Sequence, residues 1–301
     1  MSLLVTGSIG IDTVKTPYGF SEKSIGGSAV HFSMSAAIFT PVRFVGAVGE
    51  DCPFDLALAF EGRQVDLTGL EIRKGSRTFR WIGSYEGDMN EARTDAVELN
   101  VLSEQPPKVP DAFKDSDFVF LANTAPALQI ELLDQLNNPS FVAADTMNHW
   151  IVTAKDDLMN LLDRIDMLII NEGEAKLLTG QRNLMLAAKD IFELGPKVVI
   201  IKKGEYGSMM SDKDGDLFIL PAFPTTVVID PTGAGDSFAG AMMGYLAKTN
   251  KVDFSSLRKA MVAGTVAASF TIGDFSIHGI KAATPADIDE RSDQLRKVTQ
   301  F

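Results

Sequence analysis

Val227-Val228-Ile229-Asp230-Pro231-Thr232-Gly233-Ala234-Gly235-Asp236-Ser237-Phe238-Ala239-Gly240-Ala241-Met242-Met243-Gly244 reads as a strand that runs into a glycine turn and opens a helix. The first turn of a helix carries unpaired N–H groups and a partial positive charge. Gly233 and Gly235 remove the side chains that would keep an anion from those groups. The expected anion cradle is therefore Gly233, Ala234 and Gly235. Asp236 falls inside the same turn, where an ionised carboxylate can take a proton from a hydroxyl. A cradle beside a base is what phosphoryl transfer to an alcohol requires. Gly-x-Gly alone also fits an ordinary strand-to-helix turn. The segment lacks the third glycine of a dinucleotide fingerprint and the Gly-Lys-Ser/Thr of a P-loop.

Outward from this segment, strand-like and helix-like stretches alternate. Phe118–Leu121, Phe141–Ala144, Met167–Ile170 and Val198–Ile201 are continuous apolar runs, the pattern of strands covered on both faces. Leu3–Thr6 and Val42–Val48 read as strands too. Helical patterns cover 154–165, 187–194, 236–248 and 255–271. The order predicts an α/β fold, a doubly wound and mostly parallel sheet flanked by helices. Two stretches depart from it. Residues 11–26 and 76–101 alternate apolar and polar residues around turn signals, which predicts hairpins in a small β-layer. No repeat or linker divides the chain, so 1–301 reads as one domain with that layer as a lid.

The 301 residues are 45% hydrophobic, enough for a core of this kind, and the net charge is −12. Such acidity repels nucleic acid and anionic membranes, so neither is an expected partner. The run 260–273 is too short to span a bilayer. The N-terminus shows no basic region followed by an apolar one. The single cysteine, Cys52, excludes an intrachain disulfide and reads as an inert thiol, since no Lys or Arg lies within five residues. A cytoplasmic location is the expectation.

The string Asp230–Asp236 resembles the C-terminal signature of the ribokinase-like (PfkB) family of sugar and nucleoside kinases. Ile25-Gly26-Gly27-Ser28-Ala29, Gly46-Ala47-Val48-Gly49-Glu50-Asp51, Asn171-Glu172-Gly173-Glu174 and Lys202-Lys203-Gly204-Glu205-Tyr206-Gly207 resemble further family elements, in family order. The resemblance implies a ribokinase-like domain with a β-lid over the acceptor, and an ATP-dependent kinase with Asp236 as general base. The acceptor it implies is a sugar or sugar-like molecule, with a nucleoside as the alternative. A non-catalytic binding protein on the same scaffold should have lost Asp236 or the glycines, and all are present.

On the acceptor side the resemblance implies Asp12, Gly26, Gly27 and His31, and the presumed lid adds Trp81 and Asn90. Gly10 and His31 stand where many sugar kinases of the family carry Asn, which points away from ribose or fructose specifically. For the nucleotide it implies Asn171, Glu174, Lys202, Gly204 and Gly207, with adenine near Ala263, Gly264 and Ala267. Small residues on a helix also mean close packing. Asn171 and Glu174, three residues apart at a helix start, would organise Mg2+ through water, although Glu174 can equally cap the helix. Around Asp230 and Thr232 the resemblance implies a K+ response. The lid could also pair with a second subunit's lid to form a homodimer.

Overall fold

An apolar strand with no polar face is stable only if helices cover it on both sides, and the computed structural model, which describes residues 1–300, shows that arrangement. The strands in chain order are β1 (Leu3–Thr6), β2 (Gly10–Thr16), β3 (Gly19–Gly26), β4 (Val42–Gly49), β5 (Val65–Arg73), β6 (Phe79–Tyr85) and β7 (Ala92–Glu98). They continue with β8 (Phe118–Leu121), β9 (Phe141–Ala144), β10 (Met167–Asn171), β11 (Val198–Lys202), β12 (Ser208–Asp212) and β13 (Leu217–Leu220). Nine form the main sheet in the order β13-β12-β11-β10-β9-β8-β1-β4-β5. The strands from β5 through β11 in that order run parallel; only the β11–β12 and β12–β13 pairings are antiparallel.

Alternation along each strand sends side chains to opposite faces. Leu3, Val5, Phe118, Phe120, Met167, Ile169 and Ile200 join one core. Their neighbours Leu4, Val119, Leu121, Leu168, Ile170 and Ile201 join the other. The first core is covered by the helices Ser28–Ala36, Ala234–Thr249 and Phe254–Thr271. The second is covered by the helices Lys155–Leu162, Glu172–Thr179 and Leu184–Phe192, among others. The chain leaves β1 for β4 on one side and returns as β8 on the other. That reversal opens a crevice at the carboxyl ends of the strands, where ligands bind in open α/β sheets.

The remaining four strands form a separate sheet, β3-β2-β6-β7, so both predicted hairpins exist and join through parallel pairing of β2 with β6. Three strands were not anticipated. β5 alternates half-buried and exposed residues, with only Gly69 buried, because it lies at the sheet edge, and β12 and β13 extend the opposite edge as a hairpin. One expected strand is absent. Val227–Ile229 pairs with no strand; the N–H of Ile229 donates to Ile272 O at 2.7 Å, which ties this segment to the end of the Phe254–Thr271 helix.

Three helices meet through bare backbone. A Cβ on Gly240 would overlap the carbonyl of Phe32, and one on Gly264 would lie 2.7 Å from Phe238 O. Ala263 and Ala267 are buried in the same packing. These three residues thus have close packing as their visible role and little surface left for an adenine. Gly240→Ala should destabilise the protein by about 1–3 kcal/mol, the usual cost of forcing an extra carbon into a packed interface. A urea midpoint equal to wild type would contradict the contact.

Candidate active site

The Ala234–Thr249 helix begins at Gly233, whose φ of 74° is left-handed. A Cβ there would be strained and would overlap the ring of His31. His31, on the Ser28–Ala36 helix, therefore lies against the glycine turn. The Ala234 N–H donates to Pro231 O at 3.1 Å, so this member of the expected cradle is already committed. The N–H groups of Gly235 and Asp236 have no partner within the described residues and remain open to an anion. Asp236 stays partly accessible. Burial of its surroundings raises its pKa, and the Lys202 ammonium opposes that rise.

Lys202 ends β11, and its Nζ lies 2.6 Å from where a Gly235 Cβ would stand. It pulls down the pKa values of three carboxyls, Asp145, Glu174 and Asp236, each of which burial pushes up. Asp145 follows β9 directly, is buried, and has an Oδ1 without a partner. The sequence reading missed it. The signal was present, since a polar residue ending a buried parallel strand stands where such sheets bind ligands.

Asn171 and Glu174 close the start of their helix as a reciprocal capping box. The Glu174 N–H donates to Asn171 Oδ1 at 2.8 Å and the Asn171 N–H to Glu174 Oε2 at 2.7 Å. The cap limits any metal role of Asn171 to contact through water. Its carbonyl oxygen serves the cap, and the free NH2 is a donor, suited to phosphate rather than to a cation. Glu174 keeps one oxygen outside the cap. Among the described residues no cluster of three or more Asp, Glu, His or Cys side chains could hold a metal ion. Glu174 and the bare Oδ1 of Asp145 therefore fit Mg2+ only as partners of its water shell, with phosphates completing it.

Asp12 lies on β2 and is 5% exposed. Its Oδ1 has no partner. Burial, then the charges of Asp230 and Asp236, raise its pKa to about 7, against a smaller lowering by the Gly27 N–H. Gly26 leaves room for this carboxylate, which a Cβ would overlap. Trp81 is the register partner of Asp12 in β6, and Phe79 the partner of Gly10. Phe79, Trp81 and Tyr85 therefore share the face of Asp12. The Trp81 Nε1–H donates to Thr94 Oγ1 at 3.1 Å, and the Tyr85 hydroxyl lies 3.3 Å from Thr232 Oγ1. Asp230 accepts from the Thr232 N–H at 2.9 Å but leaves a buried Oδ2 unpaired.

His31 is 1% exposed, and neither ring nitrogen has a partner. Burial lowers its pKa to about 4, so the ring is neutral. Asn90, expected beside the acceptor, is instead paired with Glu205 in the loop after β11. Gly204 and Gly207 form that loop, both with positive φ.

The pfkB family carbohydrate kinase model matches residues 18–278. A cytidine kinase from Thermococcus kodakarensis is 29% identical over 252 residues, 81% of this chain and 88% of that protein. A ribokinase from Arabidopsis thaliana is 26% identical over 72% of this chain and 59% of that protein. Among solved structures, a candidate ribokinase II from E. coli in complex with ATP and Mg2+ superposes with a TM-score of 0.78 at 16% identity, over 97% of this chain and 99% of that one. At that identity the likeness speaks for the fold.

Asp12 gives a pH test. Its folded pKa, about 7, exceeds its unfolded value of 3.8. The folded state therefore disfavours the ionised form, so stability falls as pH rises between the two values and stays lowered above the higher. Three units at about 1.4 kcal/mol each set a ceiling of roughly 4 kcal/mol. Asp12→Asn should raise the melting temperature relative to wild type at pH 8, with a smaller gain at pH 5. A gain independent of pH would contradict the assignment.

Proposed function

The chain belongs to the pfkB family of carbohydrate kinases, and from that membership we propose the roles of its residues. The enzyme is a phosphotransferase that acts on an alcohol group. Its acceptor in this reading is a small sugar or sugar-like molecule, and Asp236 is the general base. One observation carries the assignment. Asp236 is a partly open carboxylate in a turn whose Gly235 and Asp236 N–H groups are free, beside the Lys202 ammonium.

The acceptor hydroxyl gives its proton to Asp236 as its oxygen attacks the γ-phosphorus of ATP, and ADP leaves. The free N–H groups of the turn and Lys202 stabilise the charge on the transferring group. Asp12 accepts hydrogen bonds from the acceptor hydroxyls, in a pocket shaped by Gly26 and Gly27. Mg2+, when bound with ATP, neutralises phosphate charge. Glu174 and Asp145 would hold its waters, and the Asn171 NH2 would donate to phosphate. The unpaired Asp230 Oδ2 suits a K+ ion, so rates compared in potassium, sodium and choline salts decide that point.

A nucleoside acceptor is the second reading, and the aromatic row supports it. Phe79 and Trp81 share the face of Asp12 and are partly exposed, offering rings on which a base can stack. The opposite face of the small sheet exposes Phe20 and Ile82, which a second subunit's lid could cover. Light scattering on the purified protein tests that homodimer.

With ATP and Mg2+, a panel of ribose, deoxyribose, cytidine and inosine should yield a phosphorylated product from at least one member. Asp236→Asn should bind ATP normally and lower kcat about 10²–10⁴-fold. Near wild-type turnover would remove Asp236 from the mechanism. Full activity in EDTA would remove Mg2+.

A further inference from the structure

The turn between β6 and β7 touches two parts of the molecule at once. Met89 takes a positive φ of 56°, an uncommon state for a residue with a side chain. It is 7% exposed and packs with Val14 and Tyr85, near Val228 and Phe275. The next residue points the other way. Asn90 Nδ2 donates to Glu205 Oε1 at 3.1 Å, and the Glu205 N–H donates back to Asn90 Oδ1 at 3.2 Å. A Cβ on Gly204 would overlap that Oδ1, so the loop after β11 makes room for the lid amide only because position 204 is glycine.

The reciprocal pair is more than a chance surface contact. An isolated exposed hydrogen bond fixes little, because either side chain can turn to water. Here one partner is backbone, the other lies beside a buried anchor, and the facing residue has no side chain. Breaking the pair leaves the Met89 anchor and both cores in place and removes the tip's side-chain tie to the Gly204–Gly207 loop.

We propose that Asn90 and Glu205 form a latch that couples closure of the lid to the nucleotide loop, so that a bound nucleotide holds the lid shut and a closed lid tightens nucleotide binding. This rests on the nucleotide contact that the family resemblance implies for Gly204 and Gly207. Both members are positioning residues; neither touches the reacting atoms. The coupling is reciprocal, because linkage requires each event to favour the other by the same factor.

The test needs no acceptor. Hydrogen exchange is followed on the full chain, with and without adenylyl imidodiphosphate and Mg2+, in wild type, Asn90→Ala and Glu205→Gln. In wild type the nucleotide should slow exchange at residues 202–208 and also at 86–92, the latter about fivefold or more, the low end of ordinary coupling between sites. Asn90→Ala should keep protection at 202–208 and lose it at 86–92. Glu205→Gln retains an acceptor oxygen and the backbone N–H, so it should preserve both. Protection at 202–208 with none at 86–92 in wild type overturns the latch and leaves the kinase reading intact, as does equal protection of 86–92 in Asn90→Ala. No protection at 202–208 overturns the nucleotide-loop assignment and the latch with it.

Discussion

Three carboxyls, the buried Asp145 and Glu174 and the partly open Asp236, share one ammonium, that of Lys202. Burying that much like charge is costly, and one cation does not cancel it. The arrangement persists because the sheet fixes it. Lys202 ends β11, Asn171 is its register partner at the end of β10, and Asp145 follows β9. The carboxyl ends of adjacent parallel strands deliver these groups to one rim, and two hydrophobic cores hold the strands in place. An excess of negative charge at this rim is a standing requirement for a cation, which fits chemistry that brings Mg2+ in with ATP.

The reading of the sequence succeeded where a signal was local. The glycine turn, the Asn171–Glu174 spacing and the uninterrupted apolar strands each declare themselves within a few residues. Both hairpins were legible from alternation, and only their ends moved, by one residue at β2 and by three at each outer end of the second hairpin. Val227–Ile229 misled because three β-branched residues favour extended backbone whether or not a partner strand exists. β5 went unseen because an edge strand with its interrupted apolar pattern looks like a loop.

The features that escaped are those set by contacts distant in sequence. Nothing near Asn90 says that Glu205 will face it, 115 residues on. Nothing near His31 says that its ring will lie against Gly233. The capping box shows a subtler limit. Its residues were identified from spacing, but the division of their oxygens between cap and ligand depends on geometry, and that division left Glu174 with a free oxygen while the carbonyl of Asn171 was taken. The small residues at 263, 264 and 267 fit either an adenine wall or a tight helix contact, and the structure shows the contact.

The charges also sort the ligands of the proposed reaction along the cleft. Lys202 and the free N–H groups lie on one side of Asp236. Asp12 and Asp230 each keep an unpaired oxygen, with Tyr85 nearby and no cation among the groups that shift their pKa values. In the proposed reaction a polyphosphate is drawn to the Lys202 ammonium and the free N–H groups and repelled by carboxylates that lack a cation. A neutral polyhydroxyl compound suits Asp12 and Asp230, whose carboxylates can accept its hydroxyls without opposing charge. Under that proposal, phosphorylation would turn the acceptor into an anion beside Asp12 and Asp230, whose charges would favour its release. In the proposed reading, in which Asp12 accepts acceptor hydroxyls, its raised pKa is the stability cost of a carboxylate left without a cation partner.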